Sequence, residues 1–322
     1  MKGTFVSKTG YFTHADCRKH DMGRGHPECP QRLDVIEDRL LASGVSDALE
    51  RHEATPANMG ELLLAHGRRH VAALRGLSDI LVEELAAGGP DHYSLDPDTV
   101  MCKDTYRAAL LSAGAVIDAV DAVLTGAMVN AFCAVRPPGH HATRNQAMGF
   151  CFFSNVAIAA KYACERYGLK RVAIVDFDVH HGNGTEDIVA GDERILMVSF
   201  FQHPFYPEGG AQKHDSNLLN CPVPAYTRGP QIRELVETIW MPRLEEHQPE
   251  LILVSAGFDA HRDDEMGQLG LVESDYTWMT ERIQDVARRF AGGRIVSALE
   301  GGYNLQALAR SVEAHVRVLA GV

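Results

Sequence analysis

Five short apolar runs rich in β-branched residues constrain this chain more than anything else in it. They are NAFCAV (130–135), RVAIVDFD (171–178), ILMVSFF (195–201), LILVSAGFD (251–259) and RIVSALEGGY (294–303). Amphipathic stretches lie between them, at 105–125, 154–168, 230–247 and 275–291. Continuous apolar strands separated by helices imply a mostly parallel sheet covered on both faces. The simplest account is one three-layer α/β/α domain over residues 1–322. No repeat or low-complexity linker divides it.

In such sheets ligands sit beyond the carboxyl ends of the strands. Four of these ends carry the polar residues: AVRPPGHH, DFDVHHGNG, AGFDAH and LEGGY. Four loops are therefore expected on one rim. Within VDFDVHHGNGTED (175–187), residues 176, 178 and 180 point to the same side of an extended strand. Asp178 and His180 can then share one cation, with Asp259 from another strand end as third ligand. Two carboxylates and one imidazole leave positions open on zinc, as catalytic sites do. Oxygen-rich ligation also suits ferrous iron or manganese. Either residue alone would more simply cap a helix or form an ion pair; the third ligand reverses that balance.

His140 and His141 follow a loop stiffened by Pro137 and Pro138. Histidine suits proton transfer near neutral pH, and Asp176 is a candidate to orient one of the rings. A lone His-His pair on a loop would be a surface feature; this one flanks the expected rim. Tyr303 follows Gly301 and Gly302 and could offer a phenol to an oxyanion, although most tyrosines are packing residues.

Composition excludes several classes. The 322 residues are 45% hydrophobic and 23% charged, enough for a large core. A net charge of -12 argues against nucleic-acid or anionic-membrane partners. It would suit a cationic substrate, but solubility alone is the simpler account. The seven cysteines form no CxxC pair and read as reduced core residues. The start MKGTFVSKTGYFTHADC lacks the apolar stretch of a signal peptide. No run approaches 18 apolar residues. The expected location is the cytoplasm.

HDMGRGHPECPQRL (20–33), RPPGHHA, GFCFFSN, DFDVHHGNGT, SAGFDAH and LEGGY resemble, in order, the motifs of the zinc-dependent histone deacetylase family. That family also includes acetylpolyamine amidohydrolases and acetoin-utilisation proteins. Asn183 and the wording SAGFDAH resemble class II and its bacterial relatives. The resemblance implies one catalytic Zn2+ on Asp178, His180 and Asp259, with Fe2+ an alternative in vivo. It implies His140 and His141 as the tandem histidines, with His141 favoured as general base and acid. Asp176 would orient His140, and Asn183 would face the second histidine, where a neutral amide raises basicity less than a carboxylate. Tyr303 would polarise the carbonyl. Gly149 and Phe150 would form one wall of an acyl-lysine tunnel, Tyr206 the other, and Asp98 would grip the substrate backbone at the rim. A structural K+ is implied at Asp176, Asp178, His180, Ser199 and Phe200.

The implied activity is removal of acetyl or other acyl groups from lysine side chains of peptides or proteins. Acetylpolyamine hydrolysis is the alternative, since polyamine-preferring members carry an acidic gatekeeper near Met266, and Glu265 adjoins it. A non-catalytic acyl-lysine binding module would have lost a ligand or Tyr303. A binuclear manganese ureohydrolase would need more paired aspartates. His20, Asp21 and Arg24 could pack, touch substrate or meet a neighbouring subunit of a homo-oligomer. Asp263, Asp264 and Glu265 read as a solvated loop that could attract lysine-rich substrates, less so in high salt.

Overall fold

The computed structural model describes residues 8–211 and 216–322. The start of the chain that was read for a leader therefore lies partly outside the described residues, at 1–7. Eight strands form one sheet in which every neighbouring pair is parallel. In chain order they are β1 (Thr9–Thr13), β2 (Leu49–Glu53), β5 (Asn130–Cys133), β6 (Val172–Asp176), β7 (Ile195–Gln202), β8 (Leu218–Val223), β9 (Leu251–Ala256) and β10 (Ile295–Leu299). β3 (His92–Ser94) and β4 (Val100–Cys102) make a separate antiparallel hairpin. The sheet order is β2-β1-β5-β10-β9-β6-β7-β8.

The five runs read from the sequence are β5, β6, β7, β9 and β10, all buried throughout. Apolar side chains on both faces are what a strand sandwiched between two helical layers requires. The four that end in polar clusters, β5, β10, β9 and β6, are consecutive at the centre of the sheet. Their carboxyl ends therefore meet although they are spread along the chain from Cys133 to Leu299.

The expected helices occupy Thr105–Leu124, Asn155–Tyr167, Gly229–His247 and Glu273–Phe290. The third contains a π-helical turn at Val236–Trp240, just before Met241 and Pro242. The wider turn relieves the clash that a proline ring makes with the carbonyl of the preceding turn. Helices Gln31–Ala42, Arg68–Ala86 and Leu305–Ala320 complete the layers. No described helix is long and apolar enough to cross a membrane. All seven cysteines are unpaired, and six are buried.

A buried ionic cluster ties the amino-terminal loop to the site. Glu28, Arg32, Arg136 and His20 are all fully buried. Arg136 donates to both oxygens of Glu28, at 2.6 Å to Oε2, and to the carbonyls of Cys17 and His20 at 3.0 Å. Arg32 donates to Glu28 Oε1 at 3.1 Å. His20 lies 3.3 Å from Glu28 Oε2 and does not face the cleft. Asp21 and Arg24 are exposed. Burial works against the charged form of Glu28, but Arg136 and His20 hold its carboxyl well below the usual range.

Glu28→Gln leaves two buried guanidinium groups short of a counter-charge. It is expected to cost about 3–5 kcal/mol of unfolding free energy in a denaturant titration. A folded pKa below the unfolded one makes this stability present above about pH 4.3 and lost as pH falls further. The variant should therefore lose less stability than wild type between pH 5 and pH 3.

Candidate active site

Asp178 and His180 leave β6 in an extended turn, and Asp259 leaves β9 beside them. His180 Nδ1 lies 3.1 Å from both Asp178 Oδ1 and Asp259 Oδ2. One ligand atom from each residue falls within 4.8 Å of the others. Asp178 and Asp259 are fully buried. Backbone amides fix the outer oxygens: Gly301 N donates to Asp178 Oδ2 at 2.9 Å, and Val179 N to Asp259 Oδ1 at 2.9 Å.

The donor set fits a divalent cation. A Cβ on Gly301 would stand 2.1 Å from Asp259 Oδ2 and 2.6 Å from Asp178 Oδ2, and one on Gly257 would stand 2.0 Å from Asp178 Oδ2. Glycine at both positions leaves room for the carboxylates to converge. Asp176, Asp178, Asp259 and Glu300 pack fully buried carboxyls around three histidines. Burial and the Asp178 charge push Asp259 up to about 7. Burial opposes protonation of His180, yet Asp178 and Asp259 push it up to about 10. The triad thus holds protons that a bound cation would displace, the coupling expected of a metal site.

The tandem histidines are placed differently from one another. His140 Nδ1 lies 3.1 Å from Asp176 Oδ2, and its ring is 4.0 Å from that of His141. Burial disfavours a charge on His140, but Asp178 and Asp176 outweigh it and raise its pKa well above the ordinary value. His141 Nδ1 donates to Asn183 Oδ1 at 2.8 Å, while Asn183 Nδ2 points to Met148 Sδ at 3.4 Å. That pairing leaves the lone pair of His141 on Nε2. Burial, then His140 and His180, lower its pKa well below the usual range. The environments push the two rings' proton affinities in opposite directions.

A cleft of about 250 Å³ opens above the triad. It is lined by His141, His180 and Tyr303, by Gly149, Phe150, Phe205 and Tyr206, and by Asp98, Glu265 and Met266. Tyr206 meets the His141 ring edge-on at 5.2 Å, and Phe150 meets Tyr303 edge-on at 5.7 Å. Gly149 needs to be glycine: its φ is +55°, and a Cβ would lie 2.5 Å from the His141 ring. Burial raises the Tyr303 phenol well above its ordinary pKa, against the opposing charge of Arg32, whose guanidinium lies 4.9 Å from the ring centre. The hydroxyl stays a donor.

Several supporting residues are given no role by the sequence reading. Glu300 Oε2 accepts from the amides of Gly139 and His140 at 2.7 and 3.1 Å, and Oε1 from Ser255 Oγ. Burial pushes its carboxyl up to about 7. His26 packs edge-on against Phe150 at 4.7 Å and donates from Nε2 to the Asp98 carbonyl. Asp264 corrects the reading of 263–265 as solvated. It is 5% exposed, because backbone amides converge on it, while Asp263 and Glu265 remain in water. Asp176 and Ser199 are register partners on β6 and β7, with Phe200 next along β7 and Asp178 and His180 just past β6.

The sequence pattern described as "Histone deacetylase domain" matches residues 26–319. The chain belongs to this histone deacetylase family. A histone deacetylase-like amidohydrolase of Pseudomonas aeruginosa is 38% identical over 287 residues, covering 87% of this chain and 73% of that protein. The polyamine deacetylase HDAC10 of Mus musculus is 38% identical over 306 residues, 91% of this chain and 45% of that one. The crystal structure of the HDA15 HD domain superimposes with a TM-score of 0.90 at 32% identity, covering 98% of this chain and 89% of that one. The arginase/deacetylase-like α/β fold and the family read from the motifs both stand. As a histone deacetylase family member the chain is a hydrolase acting on amides.

Proposed function

We propose that this histone deacetylase family member is a zinc-dependent lysine deacylase, with residues 1–322 forming one catalytic domain. The observation carrying this reading is the cleft lining: the His141 imidazole, the Tyr303 phenol and His180 of the triad share one cleft with the aromatic rings of Phe150, Phe205 and Tyr206. Asp178, His180 and Asp259 would hold Zn2+, or Fe2+ in vivo. The ion, when bound, would polarise the substrate carbonyl and lower the pKa of a water toward 7.

The chain's own residues supply the rest. Phe150 and Tyr206 flank the uncharged stem of an acyl-lysine and exclude water from it. Asp98 anchors the substrate backbone at the rim. His141 Nε2 takes the proton of the attacking water and returns it to the leaving amine. Asn183 fixes the tautomer that leaves Nε2 free. His140, held by Asp176, keeps positive charge beside the reacting carbonyl. Tyr303 donates to the oxygen as it becomes negative. K+ at Asp176, Asp178, His180, Ser199 and Phe200 would brace the strand end beneath. The cytoplasm fits this chemistry.

Exposed Glu265 on the rim favours a second reading, in which a polyamine's distal ammonium meets that carboxylate. One competition assay separates the two. Purified protein is given equal concentrations of an acetyl-lysine peptide and N-acetylputrescine, with and without chelator. The expected result is a peptide kcat/KM at least tenfold higher, lost on chelation. Preference for N-acetylputrescine would replace the substrate assignment, and turnover indifferent to chelator would overturn the metal.

A further inference from the structure

The two residues before Tyr303 carry no side chain to fix the loop, although both are buried. Gly301 and Gly302 precede the tyrosine, and Gly302 adopts φ +120°. Something outside the loop must therefore set where the phenol stands. On one side Arg32 holds carbonyls: its Nε donates to Gly302 O at 2.7 Å, and its guanidinium also donates to Glu300 O. On the other side a single carboxylate holds amides. Asp264 Oδ2 accepts from Tyr303 N at 2.6 Å and from Asn304 N at 2.9 Å. Its other oxygen, Oδ1, accepts from Met266 N at 3.0 Å.

The geometry points to Asp264 as a positioning residue that acts on Tyr303 through the loop backbone. A buried carboxylate is costly unless its oxygens are satisfied. Here three amides from two loops satisfy it, and Asn304 Nδ2 adds a bond to Asp263 O at 2.9 Å. One oxygen governs the catalytic loop and the other the tunnel rim at Met266. The two loops therefore hold a fixed relation to each other. Small misplacement of a donor aimed at a developing charge is enough to cost a large factor in rate. Asp264 hydrogen-bonds to no triad residue; its hydrogen bonds reach the site through the Tyr303 loop, and its charge adds to the field at Asp259.

This inference rests on the amidohydrolase reading for its kinetic arm and on the fold alone for its exchange arm. The test is Asp264→Asn, made in wild type and in Tyr303→Phe. The near-isosteric amide cannot accept from both loops. In wild type it should lower kcat about tenfold or more and change KM less than threefold. In the Tyr303→Phe background it should cost less than threefold, because the hydroxyl it positions is already gone. Amide hydrogen exchange at residues 266, 303 and 304 should accelerate at least tenfold, with β9 and β10 unchanged. Equal losses of kcat in both backgrounds would mean general structural damage and overturn the assignment, as would unchanged exchange at those amides. If Asp264→Asn does not fold, wild-type exchange decides. Protection of the three amides comparable to β10 supports the assignment, and exchange at free-loop rates overturns it. If wild type hydrolyses no amide, the exchange arm still stands while the functional reading fails.

Discussion

Asp178→Ala purifies without stoichiometric metal and loses about a thousandfold or more in kcat/KM. Asp178 contributes one oxygen to the triad and takes the Gly301 amide on the other, so its removal deletes a ligand and loosens the catalytic loop. Lewis-acid stabilisation is worth several kcal/mol, and each 1.36 kcal/mol is tenfold in rate. It also removes a carboxylate that raises the proton affinity of His140 and His180. Metal analysis should fall from about one ion per chain to none, and activity should not return when zinc is added. Wild-type turnover from a metal-free Asp178→Ala protein would refute the triad.

Tyr303→Phe lowers kcat about a hundredfold or more and leaves KM within a few-fold. Deleting one preorganised oxyanion donor costs about 2.7–4 kcal/mol in comparable sites. The ring should keep its place, since Arg32 and Phe150 contact its faces and edge and the backbone holds the loop. Metal content should stay at the wild-type level, which separates loss of the hydroxyl from collapse of the site. Steady-state kinetics on an acetyl-lysine peptide, with metal analysis of the same preparation, measures both.

The central strands were readable because a parallel sheet covered on both faces demands unbroken apolar runs. The edge strands lack that demand. β2, Leu49–Glu53, is LERHE and is largely solvent-facing at the sheet edge. β8 carries Pro222, and β1, TGYFT, is buried throughout but has only two large apolar residues among its five. Periodicity has nothing to detect in any of them. At the site, ligand-type residues announced themselves by interrupting apolar strands, as Asp178 and Asp259 do. Supporting residues did not. Asp264 sits in an acidic run that looks solvated, and its burial follows from amides forty residues away. Glu28 and Arg136 find each other across 108 residues. Local pattern cannot encode partners that only the folded chain brings together.

The place of β10 in the sheet has a consequence for biosynthesis. It is the last strand made, yet it inserts between β5 and β9 rather than adding at an edge. A growing chain that stops before Ile295 has two unpaired central edges and no Tyr303. Such edges invite pairing with other chains. The nascent domain is thus both inactive and adhesive until β10 has left the ribosome, so translational arrest near residue 290 should yield insoluble product rather than a weakened enzyme.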